Sequence, residues 1–84
     1  MYYVYILRCA DDTLYTGITT ELERRIDEHN GSAKGAKYTC TRRPVKLVYS
    51  EEQADRSAAS KREYEIKKKM TRAKKLAMIE AFKS

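Results

Sequence analysis

Two short apolar runs near the N-terminus constrain the fold most strongly, because their spacing favours a β-hairpin. Tyr2–Arg8 carries β-branched and aromatic residues at both odd and even positions, as expected for a strand that is covered on both faces. The aspartates and the threonine of residues 9–13 favour a turn, and Leu14–Thr19 supplies the second strand. Gly17 interrupts that strand, and a glycine in a strand often marks a place where another group approaches the backbone closely.

The rest of the chain shows helical periodicity around one further strand. The expected elements are a helix ending near residue 31, a cationic loop over residues 31–44, a strand over residues 45–50, a helix from Asp55 or Ser57 to Lys69, and a last helix from Thr71. This order, ββαβαα, predicts an α/β fold of the α+β type, in which helices pack on a small sheet. We expect one domain over residues 1–84, because a chain of 84 residues fits a single core.

The net charge narrows the class of partner. The chain carries a formal charge of +6, which favours a polyanionic partner, nucleic acid first and an anionic membrane surface second. Cys9 and Cys40 are too few for a disulfide framework, so we expect reduced thiols in a cytoplasmic protein. No apolar run approaches the roughly 18 residues that a membrane span requires, so we expect no insertion into a membrane.

The first helix places polar residues on the face that should be apolar. Arg25 and His29 follow Leu22 by three and seven positions, which puts all three on one helical stripe. His29 alone is compatible with a hydrogen-bonded core histidine. An inward arginine is harder to accommodate, because burial of an uncompensated guanidinium is costly. The pair therefore indicates a polar cavity that receives an anion.

The second long helix carries one inward carboxylate. Glu63 shares a stripe with Ala59 and Ile66. It can form a salt bridge with Arg25 or Arg62, as buried charges often do, or it can bind a metal ion. Magnesium needs only one or two protein carboxylates when waters and phosphate oxygens complete its coordination.

Two tyrosines of the hairpin point to the same side of the sheet. The alternation of side chains along a strand lets Tyr5 and Tyr15 converge near Gly17. Each tyrosine alone is compatible with a large apolar residue that has a polar tip. Their convergence beside an inward arginine is what favours a chemical role.

These residues together resemble the GIY-YIG nuclease domain. Tyr3-Val4-Tyr5 and Tyr15-Thr16-Gly17 are similar to its two motifs, although the first lacks the glycine and isoleucine and the second has threonine for isoleucine. Arg25 follows Tyr15 by ten residues and His29 by four more, which are the intervals of the family. Arg62-Glu63 resembles the segment that holds the family's metal-binding glutamate. The similarity covers the whole chain and is closest to the short stand-alone bacterial and archaeal members.

The resemblance implies a three-stranded antiparallel sheet flanked by helices and a metal-dependent endonuclease acting on DNA rather than RNA. In this scheme Tyr5 or Tyr15 accepts the proton of a water, Arg25 holds phosphate oxygens, and His29 contacts the nucleophile or a phosphate. Glu63 binds one divalent ion, Mg²⁺ or Mn²⁺, and no small-molecule cofactor is expected. An additional protein partner stays open.

Basic residues outside this group predict the nucleic-acid contact. The cationic loop contains the expected nucleic-acid-binding residues Lys34, Lys37, Tyr38, Arg42 and Arg43. A second basic stretch over residues 67–75 is equally compatible with a solvated helix face. Neither stretch contains a recognition helix or a zinc finger, so we expect binding directed by DNA structure or charge rather than by sequence.

Three other functions are compatible with parts of the sequence. The strongest is a non-catalytic nucleic-acid-binding module that keeps the fold and the charge. A nuclease using Glu65 and Lys67 lacks an upstream aspartate on a matching strand, and a protein-interaction adaptor has no distinguishing feature here.

Overall fold

The computed structural model describes residues 1–31 and 34–83. Its elements are β1 (Tyr2–Arg8), β2 (Leu14–Thr19), α1 (Leu22–Gly31), α2 (Lys37–Cys40), β3 (Lys46–Gln53), α3 (Arg56–Tyr64), a π-helical turn (Glu65–Lys69) and α4 (Arg72–Lys83). The strands form a three-stranded antiparallel sheet in the order β2-β1-β3. The expected α+β class and antiparallel sheet are therefore confirmed. Within the described ranges, no helix is both long enough and apolar enough to cross a membrane.

The hairpin between β1 and β2 closes as its polar residues predict. The Cys9 amide donates to the Thr13 carbonyl at 2.9 Å, and the Thr13 hydroxyl donates to the Asp11 carboxylate at 2.6 Å. Asp12 has a φ of 68°, a left-handed conformation that aspartate tolerates better than most residues. The resulting register pairs Tyr5 with Gly17 across the two strands.

The sheet has a dry face, which α3, the π-helical turn and α4 cover. Its buried residues are Val4, Ile6, Val48, Ala59, Ile66 and Ile79. All six are aliphatic, and Ala59, Ile66 and Ile79 are at most 1% exposed. This face supplies most of the apolar burial that a domain of this size requires.

The opposite face, which we call the polar face, packs against α1. Tyr5, Leu7, Cys9 and Val45 form its buried cluster. Tyr15 and Ile26 pack at its border. The polar face also holds His29 and Thr39, both fully buried. Polar groups therefore lie inside the fold on this side of the sheet only where they are hydrogen-bonded.

The helix after β3 reaches the predicted end but changes its geometry. Asp55 is the N-cap, and its side chain accepts a hydrogen bond from the Ala58 amide at 2.8 Å. The α-helix then widens into the π-helical turn, where the Met70 amide donates to the Glu65 carbonyl. Sequence periodicity does not distinguish a π turn from another turn of α-helix, so this change was not predicted.

The predicted loop over residues 31–44 was wrong in one part, because Lys37–Cys40 forms α2. Thr39 is fully buried there, and its hydroxyl donates to the Ala36 carbonyl at 2.9 Å. Gly35 allows this segment to approach α1, since an added Cβ would lie 2.6 Å from the Glu28 carbonyl oxygen. Residues 32 and 33 of the predicted loop lie outside the described residues.

The third strand is longer than the predicted residues 45–50. It extends to Gln53, and Glu51 within it accepts hydrogen bonds from Tyr49 and Gln53, both at 2.6 Å. These bonds allow a carboxylate to remain in a strand, where acidic residues are usually unfavourable. The strand therefore continues through Glu51 and Glu52, beyond its predicted end at Ser50.

Candidate active site

The phenol of Tyr5 lies directly over Gly17 on the neighbouring edge strand. A Cβ at position 17 would be 2.5 Å from Tyr5 Oη and 2.7 Å from Cζ, distances that no side chain tolerates without a shift. The backbone of β2 therefore carries no side chain where the Tyr5 ring crosses it. The glycine predicted to mark a close approach does so, and the approaching group is Tyr5.

A buried chain of hydrogen bonds connects Tyr5 to α1 and α2. Tyr5 Oη and His29 Nε2 are 2.9 Å apart, and His29 Nδ1 and Thr39 Oγ1 are 2.8 Å apart. His29 is 0% exposed. Both ring nitrogens are therefore engaged within the protein, and contact of His29 with water or phosphate stays a prediction that this geometry does not favour. The geometry is that of a hydrogen-bonded core histidine.

Burial keeps both members of this pair neutral near pH 7. Burial is the largest cause that raises the pKa of Tyr5 to about 12, and the Tyr15 and Glu63 charges add to it, whereas Arg25 acts in the opposite direction. Burial also lowers the pKa of His29 to about 4, assisted by the positive charge of Arg25. Tyr5 thus remains a phenol and His29 an uncharged imidazole.

Arg25 reaches the same site from α1. Its Nη1 donates to Glu28 Oε1 at 2.9 Å and to the Lys34 carbonyl at 2.6 Å. Its side chain is 27% exposed, so the guanidinium is held from one side and accessible from the other. Glu28 supplies the compensating charge that burial of an arginine requires.

Tyr15 forms the open side of the site. Its ring lies edge-on to His29, with centroids 5.2 Å apart, and stacks with Tyr38 at 5.9 Å and an interplanar angle of 25°. Arg42 covers the outer side of Tyr38, with its Cζ 4.0 Å from the ring centroid. The two tyrosines therefore form one continuous aromatic wall.

Glu63 approaches this group from α3. Its carboxylate adds to the charges that raise the pKa of Tyr5, after burial and Tyr15, and its side chain is 26% exposed. Lys67 Nζ lies 3.6 Å from Glu63 Oε2. The expected salt-bridge partners are not the ones found, because Arg62 instead bonds both carboxylate oxygens of Glu51 at 3.1 Å.

An open cleft of about 410 Å³ adjoins Tyr15. Its walls include Tyr15, Tyr38, Lys67, Lys68 and Lys75. Three ammonium groups beside two aromatic rings make this cleft suited to a phosphate-bearing chain. Lys67, Lys68 and Lys75 of the second basic stretch therefore line a cleft beside Tyr15, and their contact with nucleic acid stays a prediction.

The basic residues of the segment before β3 have different environments. Arg43 Nε donates to the His29 carbonyl at 2.6 Å, so its side chain caps a carbonyl near the C-terminal end of α1. Arg42 bonds the Asp11 carboxylate at 3.0 Å and covers Tyr38. Lys34 and Lys37 are on the exposed surface. Contact of all four with nucleic acid stays a prediction, and the geometry favours it least for Arg43.

The donor set at Glu63 fits an ion held mainly by water and substrate. Glu63 offers partly exposed carboxylate oxygens, which magnesium and manganese accept as ligands. No group of three or more histidine, cysteine, aspartate or glutamate residues able to hold a metal occurs in residues 1–31 and 34–83.

Comparison with known proteins identifies the family. The GIY-YIG catalytic domain matches residues 1–77 of the chain. The chain belongs to the GIY-YIG family. A UPF0213 protein of Desulfotalea psychrophila is 60% identical over 80 residues, which cover 95% of this chain and 72% of that protein. A UPF0213 protein of Natronomonas pharaonis is 54% identical over 78 residues, covering 93% of this chain and 89% of that protein.

Two solution structures from relatives share the fold. A UPF0213 protein from Bacillus halodurans has a TM-score of 0.60 and 44% identity, covering 96% of this chain and 85% of the other. A protein from E. faecalis has a TM-score of 0.64 and 43% identity, covering 98% and 85%. The predicted resemblance to the short members of the GIY-YIG family is therefore confirmed.

The structure adds Glu28 and Thr39 to this GIY-YIG site, and it gives Lys67 a contact with Glu63 that sequence analysis did not predict. Glu28 lies three positions after Arg25 and Lys67 four positions after Glu63, which are helical spacings that favour ion pairs. Both residues could therefore have been found in the sequence by looking for an opposite charge three or four positions away. Thr39 had no such signal, because its contact with His29 depends on how α2 packs against α1.

Proposed function

We propose that this GIY-YIG chain is a metal-dependent endonuclease that hydrolyses phosphodiester bonds in DNA, directed by DNA structure or charge rather than by sequence. One observation carries the proposal. Tyr5, Tyr15, Arg25, His29 and Glu63 come from four separate elements and surround the edge of β2 beside a basic cleft. Membership of the GIY-YIG catalytic family supports the class of reaction.

Tyr15 is the better candidate for the general base. Tyr5 is 1% exposed, shares a hydrogen bond with His29, and has a pKa raised to about 12. A group so protected from ionisation and from solvent is a poor acceptor for the proton of a water. Tyr15 is partly exposed and lines the cleft, so in its phenolate form it can take that proton.

Arg25 binds the scissile phosphate. The bonds to Glu28 and Lys34 leave part of the guanidinium exposed towards the site. A planar guanidinium donates to two phosphate oxygens at once, which neutralises the charge that develops during attack by water. Glu28 acts here as a positioning residue, because it fixes the guanidinium from behind.

Tyr5 and His29 are positioning residues in this scheme. Their hydrogen bond fixes the Tyr5 phenol over Gly17, and the His29 ring packs edge-on against Tyr15. The bond between His29 and Thr39 holds the imidazole in one orientation. The pair therefore sets the position of Tyr15 without contacting substrate.

Glu63 holds the divalent ion, Mg²⁺ or Mn²⁺. When bound, such an ion supplies charge neutralisation for the leaving oxygen and the phosphate. Glu63 provides one carboxylate on a helix whose other face packs into the dry core, and this rigid support keeps the carboxylate near Tyr5. Removal of its charge should abolish turnover while leaving the fold intact.

Lys68 and Lys75 extend the DNA contact beyond the scissile phosphate. Both lie in the cleft wall next to Tyr15, where they meet phosphates flanking the cut. Tyr38, which also lines the cleft, contributes a ring stacked with Tyr15, and Arg42 places a cation over that ring. We place the activity in the cytoplasm, in keeping with two unpaired cysteines, of which Cys40 is exposed.

A cleavage assay with matched variants tests the proposal. Purified wild type is incubated with plasmid, single-stranded DNA, branched DNA and RNA in Mg²⁺ or Mn²⁺, beside Tyr15→Phe and Glu63→Gln. We expect cleavage of DNA by the wild type and a loss of at least about 100-fold in each variant, as removal of a general base or metal ligand produces. Tyr64→Phe and Glu52→Gln, both at exposed positions, should retain full activity.

Two outcomes contradict the proposal. Equal activity in wild type, Tyr15→Phe and Glu63→Gln indicates a contaminating nuclease. Salt-sensitive DNA binding without cleavage of any substrate in either metal favours the non-catalytic binding module.

A further inference from the structure

Lys67 lies between the two groups to which the proposed reaction assigns the metal and the base. Its Nζ is 3.6 Å from Glu63 Oε2 and 5.5 Å from the centroid of the Tyr15 ring. It also forms part of the wall of the basic cleft with Lys68 and Lys75. One flexible cation thus contacts the metal-binding carboxylate, the catalytic ring and the path of the substrate.

Lys67 lies within the π-helical turn, four positions after Glu63. The turn spans Glu65–Lys69 and begins two residues after Glu63. A wider turn changes the direction of the side chains that follow, and such turns occur frequently at functional sites. Ile66 of the same turn is 0% exposed in the dry core, so the backbone that carries Lys67 is anchored.

Lys67 and a divalent ion compete for one carboxylate. A cation bound at Glu63 would face an ammonium group at close range, and like charges at such distances repel strongly. The side chains of Lys67 and Glu63 are 41% and 26% exposed, and ion pairs with this exposure are weak. Lys67 can therefore leave Glu63 without a large loss of stability, and its long stem can reach a phosphate in the cleft.

We propose that Lys67 is a displaceable counter-ion of Glu63, which neutralises the carboxylate in the free protein and moves to a phosphate of the nucleic acid when a divalent ion binds. This inference rests on the proposed function, because it takes Glu63 as the metal ligand. Metal and nucleic acid then bind cooperatively, since the ion releases the cation that the phosphate needs. The alternative is a permanent helix salt bridge that contributes only to the surface charge.

Manganese binding in the absence of nucleic acid tests the first half of the inference. Mn²⁺ affinity is measured by calorimetry and by paramagnetic broadening of amide signals for wild type, Lys67→Gln, Lys68→Gln and Glu63→Gln. We expect Lys67→Gln to bind Mn²⁺ about two- to fivefold more tightly than Lys68→Gln, the range expected for loss of one exposed ion pair. Lys68→Gln removes the same charge from the same turn and cleft wall, so it corrects for the general field.

Nucleic-acid binding tests the second half. In a Tyr15→Phe background, which keeps the ring but prevents cleavage, the salt dependence of DNA binding is measured with and without Mn²⁺. We expect Mn²⁺ to steepen the slope of log K against log salt by about 0.7 to 0.9 when Lys67 is present, the value for one phosphate contact. With Lys67→Gln the slope should not respond to Mn²⁺.

The outcomes separate this inference from the proposed function. Equal Mn²⁺ affinities for Lys67→Gln and Lys68→Gln, with binding abolished in Glu63→Gln, overturn the counter-ion role and leave the metal site intact. Unchanged Mn²⁺ binding in Glu63→Gln overturns both the metal site and the counter-ion. Far-UV circular dichroism confirms that each variant is folded.

Discussion

The dry face and the polar face of the sheet share the same three strands but differ in what fills them. On the dry face, aliphatic side chains such as Ile66 and Ile79 form the buried cluster, and the buried Thr16 lies opposite Ile6. On the polar face, Tyr5 and Leu7 surround a buried histidine that is hydrogen-bonded on both ring nitrogens. The comparison indicates that stability comes mainly from one side of the sheet and that the other side has been free to hold chemical groups.

The largest expected effect comes from a cavity in the dry face. Ile66→Ala removes a fully buried side chain and should lower the free energy of unfolding by about 2 to 5 kcal/mol. For a domain of this size, such a loss approaches the whole stability. Urea denaturation provides the measurement, and Lys68→Ala, at an exposed position of the same turn, should change little. A loss below about 1 kcal/mol would contradict the leading role of the dry face.

Gly17→Ala tests the close contact on the polar face. The added Cβ would displace the phenol of Tyr5, because Oη lies 2.5 Å from its position, and overpacking of this kind costs about 1 to 3 kcal/mol. Nuclease activity should fall together with stability. Gly31→Ala is the control, since nothing lies within 4 Å of its added Cβ; equal stability of both variants contradicts the contact.

The buried His29 of the polar face should make the free energy of unfolding depend on pH. The folded-state pKa is lowered to about 4, whereas an unfolded histidine titrates near ~6.5. Between these values the unfolded chain binds a proton that the folded chain does not, so stability is complete above pH ~6.5 and decreases as the pH falls towards ~4. We expect a loss of about 2 kcal/mol between pH 7.5 and pH 5.

Urea denaturation at the two pH values measures this loss, with His29→Gln as the reference. That variant retains the carboxylates, which contribute to acid sensitivity at lower pH, but lacks the imidazole. If the free energy of unfolding had the same pH dependence in wild type and His29→Gln, the lowered pKa of His29 would be contradicted.

The smallest expected effect comes from the N-cap of α3, one of the helices that cover the dry face. Asp55→Ala removes the N-cap of α3, whose side chain accepts from the Ala58 amide, and should cost about 1 kcal/mol. The pH dependence between 7.5 and 5 should stay that of the wild type, because the cap is remote from His29. Ser57→Ala, the other candidate cap, should have almost no effect on thermal unfolding; the reverse ranking would assign the cap to Ser57.

The sequence contained most of the fold because the dry face follows simple periodicity. The β-branched and aromatic residues at both parities of Tyr2–Arg8 indicated a strand, and the helical spacing of Ala59 and Ile66 indicated α3. The π-helical turn and α2 were missed for a physical reason. The position of α2 depends on contacts between separate segments, such as the bond of His29 to Thr39, and periodicity does not distinguish a π turn from α-helix.

The candidate site was predictable to a different extent. Spacing and family resemblance selected Tyr5, Tyr15 and Glu63, and the structure places them at one edge of the sheet. The proposal that Tyr15 rather than Tyr5 is the general base required the burial of each side chain, which sequence spacing does not give. The ion pair of Lys67 with Glu63 has a helical spacing, but the approach of Lys67 to the Tyr15 ring required the structure.

The pairing of Tyr5 with Gly17 has a consequence for the nascent chain. A hairpin mispaired by one residue would turn Tyr5 to the opposite side and set a residue with a side chain beneath it. The proposed catalytic constellation thus assembles only with the native register, and under the proposed function an incompletely folded molecule would not cleave DNA.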